Sequence, residues 1–137
     1  MKRDLPLVAA LAAVGLLMGA LTIFNLWPLW VEPLLWVAIA AALWVPFLVR
    51  KPVASPFLSG FLVSLLAGLF AAVVHVPFAE TYLANHPDVA AQYAGITGAQ
   101  LKLLFLGSDL LNGALFGLLV GLATWLLLRR RAAQAPA

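Results

Sequence analysis

Residues 106–121 read LGSDLLNGALFGLLVG, and this stretch decides the fold. Leucine, phenylalanine, valine and alanine fill it to the degree a lipid-embedded helix requires. Gly113, Gly117 and Gly121 recur at every fourth position, and Ser108, Asp109 and Asn112 interrupt its first half. Positions four apart on a helix drift by only about 40° around the axis, so the three glycines form one slowly winding stripe. Asp109 lies four residues before Gly113 and extends that stripe. A carboxylate inside a membrane span is costly by at least a few kcal/mol, so its presence marks a functional site by default.

Working outward, the apolar run covers about 101–128 and is one of four. The others cover about 5–26, 33–49 and 56–78. Asp4 and Pro6 signal the start of the first, Glu32 and Pro33 that of the second, and Ser55 and Pro56 that of the third; Pro77 marks the third one's end. Thr97 and Gln100 have capping-box spacing ahead of the fourth. The chain is 65% hydrophobic and only 9% charged over 137 residues. Soluble domains carry about 25% charged residues. The sequence therefore predicts an all-α membrane protein: one four-helix transmembrane domain over 1–137, arranged as an antiparallel up-and-down bundle. The apolar run at the N-terminus is longer than a signal-peptide core and reads as an uncleaved span.

The connections WPLWVEP and RKPVAS are tight. The third connection, 79–100, is long, and HPDVAAQYAG within it has the signature of a short surface helix. The tail 129–137 is expected to be disordered. Lysine and arginine cluster at Lys2, Arg3, Arg50, Lys51 and Arg129–Arg131, all on one side of a four-span path, with Lys102 alone on the other. The positive-inside rule then puts both termini in the cytoplasm and the 79–100 loop outside, as in a bacterial inner membrane. Trp27 and Trp30 fit an outer aromatic belt, and Trp44 and Trp125 an inner one. The net charge of +3 is topogenic and gives no footprint for nucleic acid.

Further small residues recur at the same spacing: Gly60, Ser64, Gly68 and Ala72 in the third span, Gly15 and Gly19 in the first, Ala38 and Ala42 in the second. Membrane helices associate through close backbone approach, which small residues permit. The ladders of spans three and four predict that these two form the closest pair.

His75, seven residues after Gly68, points within about 20° of that glycine's direction, so it shares a face with the ladder as Asp109 does. Heights counted from the cytoplasmic ends put His75, Asp109 and Asn25 in one layer, about 30 Å up. Ser108 and Asn112 lie one turn apart and would complete an oxygen-rich pocket with Glu32 or Glu80. A histidine and a carboxylate in such a layer are the chemistry of a proton relay or cation site.

No cysteine is present, and no histidine pair, phosphate loop or nucleophile elbow. No catalytic, cofactor-binding or metal-ligating residues are therefore assigned. Glu80, His86 and Asp88 read as a solvated loop surface. Two functions follow as expectations. One is a non-catalytic structural, accessory or assembly component, held by lipid and by a homo-oligomer or larger membrane complex. The other is a small oligomeric transporter or channel for protons or a cation, using Asp109 and His75.

Overall fold

The computed structural model describes residues 4–51 and 53–134. Lys2, Arg3 and the last three residues of the expected tail lie outside them. The described chain is all-helical, and four of its helices are long and apolar enough to cross a membrane. In chain order these are α1 (Leu5–Ile23), α2 (Val31–Arg50) and α3 (Pro56–His75); then come the short α4 (Ala79–Asn85) and α5 (Pro87–Ala90), and finally α6 (Gly98–Gln134).

α3 is the hub. One of its faces meets α6 through the small-residue ladders. Built as alanine, Gly68 would place its Cβ 2.5 Å from the carbonyl oxygen of Asp109, and Gly60 would meet the Gly121 Cα at 2.9 Å. Gly113 approaches Ser64, and Gly117 approaches Phe61. Positions that rise along α3 thus pair with positions that fall along α6, as oppositely running helices require. The other face meets α1 in the same sense of travel: Gly15 sits on Ala67, Gly19 on Ala71 and Thr22 on His75. A side chain at Gly15 would collide with the Ala67 carbonyl, so α1 reaches this depth only through a missing Cβ.

α2 is held differently. Its Val31–Ile39 half has no buried residue, whereas Ala40, Trp44, Leu48 and Val49 are buried. Pro46 lacks an N–H and cannot continue the ordinary ladder. The helix widens into a π turn over Ala40–Trp44, in which Val45 N–H reaches back to Ala40 O. Trp44 is fully buried and donates its indole N–H to Leu11 O at 2.9 Å, next to the interruption of α1 at Ala13. It is a core residue and not part of an inner aromatic belt. Ala38 and Ala42 are exposed, so the small-residue pair expected to make contacts in α2 makes none; the buried stripe runs through Ala40, Trp44 and Leu48.

Three further differences concern ends. The Asp4 side chain makes no cap bond to α1; its carboxylate accepts Ala54 N–H at 3.0 Å and ties the chain start to the α2–α3 turn. α3 stops at His75, short of 78, because Pro77 has no N–H for the next turn. α6 continues through Arg129–Arg131 to Gln134, where the sequence predicts a disordered tail; Ala, Arg and Gln all favour helix, and the arginines complement the negative C-terminal dipole.

With 37 residues, α6 is about 55 Å long and exceeds a hydrocarbon core of about 30 Å. Its first turns rise past the end of α3, and α4 and α5 fold over them. Ala79, Tyr82, Leu101 and Phe105 form a second small core there. The connection therefore contains two short helices where the sequence shows one.

Candidate functional site

His75 is the last residue of α3, buried between the two helices that α3 holds. Its Nε2 lies 2.7 Å from the hydroxyl of Thr22 on α1, and its Nδ1 lies 2.9 Å from Oδ2 of Asp109 on α6. The ladders create this geometry. Gly19 brings α1 against Ala71, and Gly68 lets the α6 backbone touch α3 at Asp109 itself. One α-helical turn further along, two side chains from opposite neighbours converge on one imidazole.

The hydrogen positions follow from donor capacity. Thr22 Oγ1 is also 3.0 Å from Met18 O and 3.1 Å from Gly19 O, and carbonyls only accept. If the hydroxyl donates to one of these carbonyls, it accepts a hydrogen from Nε2. The contact between Nδ1 and Asp109 then needs a second proton, on the ring or on the carboxyl group. If the hydroxyl instead turns to donate to Nε2, the ring is neutral with its hydrogen on Nδ1, facing the carboxylate. The two arrangements differ by one proton and one hydroxyl rotation. Thr22, His75 and Asp109 are thus one hydrogen-bonded unit spanning three helices.

Two cavities meet at this unit. One, of about 480 Å³, lies between the unburied half of α2 and the floor that Gly68, Ala71 and Gly113 make. The other, of about 130 Å³, lies under the outer connection and is lined by Tyr82, Val89, Tyr93, Phe105 and Ser108. Glu32, His75, Asp109 and Asn112 line both.

Aromatic rings cover the outer side. Tyr82 sits 5.6 Å from the His75 ring and edge-on to Phe105 at 5.3 Å. His86 stacks on Tyr82 at 4.0 Å and donates Nδ1–H to Tyr82 O at 2.8 Å. Burial, assisted by the negative charges of Glu32 and Asp109, pushes the Tyr82 phenol up to about 12, so it stays protonated at neutral pH. His86 is buried in this cap and is not part of a solvated loop surface, because the stacked phenol ring needs its face covered.

The structure brings His75 and Asp109 together and places Asn112 and Ser108 at the cavity walls, both exposed. Glu32 joins them; Glu80 is exposed and lines neither cavity. Asn25 is not part of their site. It has φ +49°, donates to Asn85 O at 2.7 Å, and Asn85 returns a bond to Ile23 O at 2.8 Å, a clasp between the end of α1 and α4. Thr22 is the member that reading the sequence alone misses. Its only signal is a hydroxyl three residues after Gly19, on the same side of α1. Among the described residues, no group of three or more histidine, aspartate or glutamate side chains is placed to hold a metal ion. No family model, curated protein or solved structure matches this chain.

Proposed function

We propose that this chain is a multi-pass protein of the bacterial inner membrane that moves protons or a cation, with His75 and Asp109 as the moving part of its chemistry. In this reading the helices form an up-and-down bundle. Lys2, Arg3, Arg50, Lys51 and Arg129–Arg131 hold both termini and the α2–α3 turn in the cytoplasm, and α4 and α5 lie outside. The site then sits in the outer part of the membrane. The observation that carries the reading is the unbroken chain from Thr22 through His75 to Asp109, bordered by a cavity on each side.

Below the site, Gly117 and Gly121 bring α6 into backbone contact with α3 and leave no path between the two helices. A route to the cytoplasm then depends on α2, whose most apolar stretch is 17% buried against 44% for those of α1 and α3 and 28% for that of α6. A carrier in which α2 moves against the other helices fits this asymmetry better than a channel.

In proteoliposomes carrying an internal pH-sensitive dye, the wild type is expected to dissipate an imposed pH gradient. Asp109→Asn is expected to fold and to lose that flux, and wild-type flux in this variant would contradict the reading.

A structural or assembly role is the second reading. Every buried polar side-chain atom among the described residues has a partner, so the same three residues serve equally as a latch joining α1, α3 and α6. In that case Asp109→Asn lowers stability and there is no flux to lose.

A further inference from the structure

The larger cavity has a chemistry of its own, and it matches one kind of ligand. Its volume of about 480 Å³ falls in the range of small-molecule sites, and its walls are unequal. At one end stand two carboxylates, Glu32 and Asp109, with the Asn112 amide between cavity and surface. The rest is hydrocarbon and aromatic: Trp36, Val37, Leu115, Phe116 and Leu119. Asp109 already faces the His75 ring, while among the described residues the hydrogen bond to Glu32 is that of the Trp36 indole N–H at a long 3.4 Å. The head of the cavity thus holds acceptors in excess of donors, and among the described residues no lysine or arginine lines it.

The entrance opens on the apolar outer surface of the bundle. Val37 is 50% exposed, Leu115 56% and Leu119 63%, and they flank the gap where α2 stands away from α6. An occupant that fits has an apolar body, reaches the site sideways from the bilayer, and carries a positive, hydrogen-donating head.

We propose that the cavity between α2 and α6 binds a single-chain amphiphilic amine in its protonated form, with the ammonium group between Glu32 and Asp109 and the apolar body along Phe116, Leu115 and Leu119. The proposal rests on the carrier reading and names the ligand class of the same site. An ammonium group offers three N–H donors to the Glu32, Asp109 and Asn112 oxygens, and the face of Trp36 is attractive to a cation. A neutral alcohol would leave the carboxylates without a countercharge, and a fatty acid would add a third one. A diacyl aminolipid has the right ammonium but brings a phosphate toward two carboxylates, and its two chains exceed the volume.

The test is equilibrium binding of dodecylammonium to the intact chain in lipid nanodiscs, read as saturable uptake above that of empty nanodiscs. Dodecanol and dodecanoate serve as controls of equal chain length. Saturable binding of the amine alone is expected, weakened at least about tenfold by Glu32→Gln, which melts as the wild type does, and also by Phe116→Ala. Phosphatidylethanolamine in the nanodisc is expected not to compete. Equal uptake of dodecanol, undiminished binding in Glu32→Gln, or competition by the aminolipid would each overturn the assignment. The outcome separates from that of the carrier reading. Amine binding lost with Glu32, together with proton flux that survives Asp109→Asn, removes the carrier reading and keeps the site. Flux that needs Asp109, without saturable amine binding, removes the ligand.

Discussion

α6 and α2 are both apolar helices packed beside the same partner, yet one is fastened from Leu101 to Thr124 and the other only over its second half. α6 presents glycine to α3 at Gly113, Gly117 and Gly121 and meets backbone each time. α2 meets its neighbours through Ala40, Trp44 and Leu48, and then leaves them. Lipid tails are as apolar as leucine, so hiding leucines contributes little to either contact. What separates them is how many backbone atoms come within van der Waals range. The seam with α6 fixes where His75 and Asp109 stand; the looseness of α2 leaves the cavity beside them.

Gly68→Leu is expected to break this contrast most severely. Its side chain enters a space already occupied by Asp109 O and Gly113 Cα, and the loss of stability in detergent is expected to reach about 3 kcal/mol, the upper end for overpacking. Trp44→Phe comes next. It keeps most of the ring volume but strands the Leu11 carbonyl, for an expected loss of about 1.5 kcal/mol by chemical denaturation. Smallest is Ala38→Leu, the change in α2 that matches Gly68→Leu in kind. Its side chain points out of the bundle, and stability is expected to stay within about 0.5 kcal/mol of wild type. A large loss at Ala38 would mean that α2 is packed as tightly as α6.

The spans and the α3–α6 seam were legible because lipid imposes strong rules: long apolar runs, and small residues where helices touch. His75 and Asp109 could be matched because each stands on such a ladder. Asp109 lies well inside α6 and His75 at the very end of α3, and the two meet because α6 projects beyond α3. α2 was misread for a local reason. Alanines are frequent there, so Ala38 with Ala42 looks no different from Ala40 with Trp44, and the π turn ahead of Pro46 alters the phase of the helix midway. Thr22 was out of reach because its role depends on α1 running alongside α3, a pairing between non-consecutive spans that short loops do not dictate. The cap over His75 is likewise tertiary: neither Tyr82 nor His86 signals that its ring will be stacked.

The central claim is that Thr22, His75 and Asp109 act as one unit. Thr22 and Asp109 sit on different helices, and in this network each contacts the ring of His75. The most direct test is a double-mutant cycle of Thr22→Val and Asp109→Asn, with detergent stability and proton flux measured on the same preparations. Because either change breaks the same chain, the double variant is expected to lose no more flux than Asp109→Asn alone, with a stability coupling above about 0.5 kcal/mol. Stability losses that add within about 0.3 kcal/mol, together with flux losses that multiply, would contradict the account.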